Sequence, residues 1–212
     1  MKKEDTKQRI LAEALKLFSV NGYDAVTVEQ VAAAVSIKAP SIYKHYRSKR
    51  DIFDSIVACM SEMDMERAKE YEMPEGTSEE MAEAYQDIPM EKIRVYTKAM
   101  FLHWTEEPFS SDFRKLLTLE QYRDTEMARL CQQYLSTGPV EYMADIFRSM
   151  SDSDETAWQL ALEFYGPIYL LYSVYDSTQD KTGALAAIDR HIDRFSVYME
   201  RFRGGVAKAG KS

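Results

Sequence analysis

The sequence predicts an all-α fold, an N-terminal three-helix helix-turn-helix head followed by a larger helical body. Three observations lead there. Apolar residues recur at helical spacing along the chain, and no segment alternates over the length of a strand. Eight Gly and six Pro are few for 212 residues, which leaves room for long helices. Residues 27 to 53, TVEQVAAAVSIKAPSIYKHYRSKRDIF, divide into two short helices joined by a tight turn and the start of a third, each opened by its own cap. The expected organisation is a head over residues 1–50, a body over 51–203, about nine helices in all, and a small, basic, disordered tail over 204–212.

The elements follow in order. Asp5 with Gln8 starts the first helix, Ile10, Leu11, Ala14, Leu17 and Phe18 form its buried stripe, and Gly22 is its left-handed stop. Thr27 and Gln30 make a capping box for the second helix, whose Val28, Val31, Ala32 and Val35 share one face. Ser36-Ile37 form the turn, and Pro40 suits the first turn of the third helix, where an N–H is not needed. Ser48 with Asp51 opens the fourth, which carries Ile52, Phe53, Ile56, Val57, Met60 and Met63. An acidic surface loop covers residues 73–80. A helix then runs from Pro89 to Pro108, another from Ser110 or Ser111 to Gly138, and a short one from Pro139. Asp154 caps a long apolar helix that Gly166-Pro167 is expected to kink, and Gly183 precedes the last.

Charge separates head from body. The whole chain carries −8, but residues 1 to 51 hold ten Lys and Arg against six Asp and Glu, net +4. The remainder holds 17 against 29, net −12. A basic head on an acidic body directs a polyanion to one end. Basic and hydroxyl side chains crowd the second and third helices of the motif, which suits a phosphate backbone and base edges. Lys38, Ala39, Pro40 and Ser41 open the recognition helix: Lys38 can donate to guanine or phosphate, Ala39 and Pro40 offer apolar contact, and Ser41 is a short donor and acceptor. Tyr43, Lys44 and His45 leave that helix toward the backbone, and Lys49 adds its charge to the free N–H groups opening the fourth helix. Ile42 and Tyr46 read as core.

These residues resemble the tetracycline-repressor (TetR) family of bacterial transcription regulators. The resemblance rests on Gly22, Tyr23, Thr27, Val31-Ala32, Ser36, Ser41-Ile42-Tyr43, His45-Tyr46, Ser48-Lys49 and Ile52-Phe53, roughly the first quarter of the chain. Many members have Gly where Ser36 and Pro40 stand. The resemblance implies a dimer that binds a palindromic DNA operator, represses transcription and is released by a small molecule. It also implies that the Thr27 hydroxyl reaches a phosphate besides capping its helix.

For the body, the family implies a variable effector domain, and no residue carries over. Tyr96, Met100 and His103 stand at i, i+4 and i+7 with Trp104 beside them, and Tyr122 is on the next helix. That face either lines a pocket for a small, largely apolar effector or is ordinary bundle core. His103 and Glu107 alone are too few for a metal site, and no nucleophile elbow, HExxH, phosphate loop or CxxC appears, so no catalytic residue, metal or cofactor is expected. The last two long helices are broadly apolar, with Leu171 and Ile188 on their stripes, and are expected to form a four-helix homodimer interface. Cys59 and Cys131 lie far apart and read as reduced thiols; with no apolar run of membrane length and no signal segment, a cytoplasmic protein without a membrane partner is expected. The alternatives are a helical ligand-binding or scaffold protein that has lost DNA binding, against which the intact basic head argues, and a small helical enzyme, which lacks a catalytic constellation.

Overall fold

A computed structural model describes residues 3–74, 76, 80, 84, 90–148 and 151–209. All elements found among them are helices: α1 (Lys3–Asn21), α2 (Val28–Ala34), α3 (Ala39–Ile42), α4 (Lys49–Glu70), α5 (Met90–Glu106), α6 (Pro108–Glu120), α7 (Thr125–Leu135), α8 (Thr137–Arg148), α9 (Asp154–Ser177) and α10 (Lys181–Ala209). The all-α expectation holds. The span from Ser110 to Gly138, expected as one helix, is two among the described residues. Asp124 makes the break: its Oδ1 accepts the N–H groups of Glu126 and Met127 at 2.9 Å each, a side-chain cap that opens α7. The acidic loop over 73–80 and the Pro89 helix start fall largely outside the described residues. α10 takes in most of the 204–212 segment expected as a tail, and residues 210–212 lie outside the described residues.

The chain forms two compact units. The first joins residues 1–72 with 106–131. It thus extends well past residue 50: α1 packs against α4 and α6 as well as α2. Its core is Ile10, Leu11, Ala14, Leu15 and Phe18 of α1, Val31, Ala32 and Val35 around α2, Ile42 and Tyr46, Ile52, Phe53, Ile56 and Met60 of α4, and Phe113, Leu116 and Leu117 of α6. Leu15, not Leu17, completes the α1 stripe. α6 also buries the polar Ser110, Arg114 and Glu120.

The second unit holds residues 73–105 and 132–212. Here α9 packs against α8 and α10. Phe101 of α5 stacks on Tyr172 with centroids 5.2 Å apart and meets Tyr175 edge-on. Phe164 and Phe195 join α9 to α10 at 4.8 Å, and a His191 ring nitrogen lies 2.7 Å from the Phe164 carbonyl. Ser153, rather than Asp154, is the N-cap of α9, accepting the Thr156 N–H at 3.1 Å. α9 continues as a helix through Pro167. At the start of α8, a Cβ on Gly138 would lie 2.1 Å from the Gln133 carbonyl oxygen, so only glycine fits there.

The caps read from the sequence for α2 and α4 are present, whereas α1 begins at Lys3, so Asp5 lies inside that helix and does not open it. Thr27 Oγ1 accepts the Gln30 N–H at 3.3 Å while Gln30 Oε1 accepts the Thr27 N–H at 2.8 Å. Ser48 Oγ accepts the Asp51 N–H at 3.1 Å, and the Asp51 carboxylate accepts the Arg47 N–H at 2.7 Å. Gly22 ends α1 with φ +87°. Ser36, in the turn between α2 and α3, has φ +59°, where a side chain is strained. Ser36→Gly is expected to raise stability by about 0.5–1 kcal/mol, since relief of a left-handed penalty of about 1–2 kcal/mol exceeds the added entropy of an unfolded glycine. A thermal melt of the variant below wild type would show that the Ser36 side chain has a compensating role.

Candidate nucleic-acid interface

The surface between α2 and α4 is built from short helices with fixed entries. The Thr27 cap holds the first turn of α2 and leaves the exposed hydroxyl free to donate outward. Lys38 is the N-cap of α3 without a side-chain cap bond, and Pro40 stands in the first turn, where its missing N–H has no helical partner to lose. Lys38, Pro40 and Lys44 are exposed, Tyr43 is 56% exposed, and Ala39, Ser41 and His45 are half-buried. Behind them Ile42 is fully buried and the Tyr46 hydroxyl donates to the Lys7 carbonyl at 3.1 Å. Burial pushes the Tyr46 phenol well above its ordinary range, so it remains a donor. The recognition helix is thus pinned to α1 by its inward residues and offers Lys38, Pro40, Tyr43 and Lys44 to solvent. Arg47, exposed at the exit toward α4, adds a cation that the sequence reading did not select.

One expected contact takes a different form. The Lys49 ammonium, read as a phosphate ligand, is turned inward: Nζ lies 2.9 Å from the Tyr23 carbonyl oxygen, 3.0 Å from that of Val26 and 3.4 Å from that of Asp24. Its neighbour Arg50 makes a bidentate pair with Glu126 at 2.5 and 2.6 Å and a third bond to Asp54 at 2.6 Å. These carboxylates raise the pKa of its guanidinium.

Residues 10–56 match a known family. The model described as bacterial regulatory proteins, tetR family, matches residues 10–56. The negative transcriptional regulator IcaR of the biofilm operon icaADBC in Staphylococcus aureus (strain Newman) is 30% identical over 129 residues, 58% of this chain and 68% of the relative. The chain belongs to the tetR family of bacterial regulatory proteins. It is a DNA-binding transcription regulator. Solved structures share the fold of this TetR-family member: a TetR-like transcriptional regulator from Rhodococcus sp. RHA1 at TM-score 0.65 and 17% identity, covering 92% of this chain and 97% of that one, and the fatty acid degradation regulator FadR from Bacillus halodurans at TM-score 0.59 and 14% identity, covering 91% and 96%.

The residues nominated for an effector separate. Tyr96, Met100, His103 and Trp104 all lie on α5 in the second unit; Tyr96 and Met100 are half-buried, His103 and Trp104 buried. The His103 and Trp104 rings meet at 5.6 Å, and Trp104 faces Tyr134 at 6.3 Å. Tyr122 does not join them: it belongs to the first unit, in the turn after α6, and is 89% exposed. The unbroken helix expected over Ser110–Gly138 does not form, since α6 ends at Glu120 and Tyr122 follows it in a turn. Cys59 and Cys131 are free thiols, and burial raises the pKa of both. Among the described residues no helix is long and apolar enough to cross a membrane.

Proposed function

We propose that this TetR-family regulator is a homodimeric repressor that binds a palindromic DNA operator and releases it when a small, largely apolar molecule binds the second unit. It works in the cytoplasm and catalyses no reaction. The observation that carries the DNA half is the exposed row of Lys38, Pro40, Tyr43 and Lys44 on a helix pinned from behind by Ile42 and Tyr46. Thr27, Lys44 and His45 position the protein on phosphates, with Tyr43; Lys38, Ala39, Pro40 and Ser41 meet base edges. The similarity to IcaR, a negative transcriptional regulator, supports repression over activation.

The dimer reading rests on α9 and α10. Leu170 is 64% exposed, Val174 41% and Val197 48%, a large apolar exposure for two long helices of a folded unit. Two-fold pairing of this face brings two heads to two half-sites. The effector reading rests on Tyr96, Met100, His103 and Trp104: flexible and aromatic groups with few polar ones suit an apolar ligand oriented by a ring nitrogen or hydroxyl.

The test begins with DNA flanking the coding region, probed by gel shift for a bound palindrome. Replacing both Tyr43 and Lys44 by Ala is expected to weaken every sequence about tenfold or more, the scale of two lost phosphate contacts, while Pro40→Gln or Ser41→Ala changes sequence preference. Wild-type affinity in the Tyr43/Lys44 double variant would remove this face from the interface. Ligands found by thermal shift are expected to lower operator affinity 5- to 150-fold, a coupling of about 1–3 kcal/mol, and to lose that effect with Trp104→Ala.

A further inference from the structure

Tyr175 of α9 is 2% exposed, and its hydroxyl oxygen exposes less than 1 Å². Among the described residues that oxygen has no hydrogen-bond partner. The ring is fixed in this position. Phe101 of α5 meets it edge-on at 5.7 Å and stacks in turn on Tyr172 at 5.2 Å. The Lys181 ammonium lies 4.2 Å from the ring centroid and donates to the Tyr175 carbonyl oxygen, so the first residue of α10 clamps the same side chain. Tyr175 stands two residues before the end of α9, where an unclamped phenol turns its hydroxyl to water. A buried hydroxyl without a partner costs stability, and phenylalanine in the same packing carries no such cost. A group that lowers stability where a plainer one raises it marks a position kept for function.

We propose that the Tyr175 hydroxyl is the hydrogen-bonding anchor of the effector, and that the effector carries an acceptor oxygen, a carbonyl or a carboxylate, on an otherwise apolar frame. The inference rests on the reading of the second unit as an effector site and names the chemistry of its ligand. Phe101 follows Met100 on α5, so its contact sets the phenol against the helix that carries the other nominated residues. The Lys181 ammonium over the ring makes the local potential positive, which favours the phenol as a donor and an oxygen acceptor as its partner. Burial supplies the coupling. With so little of the oxygen open, no ligand atom reaches it in the packing described, and binding selects a second arrangement in which Phe101 gives way. A ligand that pairs the hydroxyl in only one arrangement favours that arrangement by the worth of the bond, about tenfold.

Without ligand, Tyr175→Phe is expected to melt about 2–4 °C above wild type, the shift that losing an unpaired hydroxyl gives a chain of this size. A melt at or below wild type shows that the hydroxyl has a partner in the free protein and overturns the proposal. The probes for the ligand are acetophenone and 4-butylbenzoate, which carry acceptor oxygens, beside cumene and butylbenzene, their counterparts without oxygen. The two acceptor probes are expected to raise the wild-type melting temperature and to lower operator affinity in a gel shift. Both are expected to lose about tenfold in affinity with Tyr175→Phe, the worth of one hydrogen bond, whereas cumene and butylbenzene bind wild type and variant alike. An acceptor probe that binds both proteins equally and still releases the operator overturns the anchor while the effector site stands. If none of the probes binds the wild type, the anchor and the effector reading fall together.

Discussion

Leu170→Lys is expected to convert the protein to a monomer at micromolar concentration and to cost operator affinity a hundredfold or more. Leu170 is 64% exposed on α9, with Val174 one turn on, so the substitution leaves the core of the chain intact. In a two-fold interface each residue occurs twice, so the dimer buries two unpaired ammonium groups at about 3–5 kcal/mol each. One head then reads one half-site without its partner. Ile188 is the contrasting control. It was read as part of the same apolar surface, yet it is fully buried inside the chain, so a charge there unfolds the unit. Leu171, half-buried, is a less clean probe than Leu170 for the same reason. Sedimentation separates the two behaviours. A Leu170→Lys variant that stays dimeric would place the interface elsewhere.

The head was legible because its information is local. A cap needs a Thr or Ser and a partner three residues on, and both Thr27 with Gln30 and Ser48 with Asp51 are made as read. A left-handed stop needs a glycine, and Gly22 supplies it. What was not legible depends on where long side chains go. Four methylenes let Lys49 reach outward to phosphate or inward to carbonyls, and the choice is made by Tyr23, twenty-six residues away in sequence. Spacing alone does not decide it. α6 hid for a related reason: Arg114 and Glu120 mark a solvated face by composition, yet both are 5% exposed and Glu120 accepts a bond from the end of α1. Those contacts draw residues 106–131 into the same unit as the head, a grouping that no periodicity signals. The effector face fared in between. The helical spacing on α5 placed Tyr96, Met100, His103 and Trp104 together, because period alone determines it, whereas Tyr122 required knowing that Asp124 interrupts the next helix.

Operator affinity is expected to fall about a thousandfold between 50 and 200 mM salt, and the slope carries the count of cations. With Lys49 turned inward, Lys38, Lys44 and Arg47 are the exposed cations around α3, three to a head. A dimer then neutralises about six phosphates, for a slope near −5.4, and a fourfold rise in salt costs about 10³ in affinity. Counting Lys49 as well would make eight and a slope near −7.2, or about 10⁴ over the same range. The acidic remainder of the chain, net −12, sharpens the dependence at low salt by repelling DNA from every approach except the head. Filter binding at four or five salt concentrations on one operator distinguishes these cases. A slope near −7 restores Lys49 to the phosphates, and one near −2 means that a single head, or a different surface, binds the DNA.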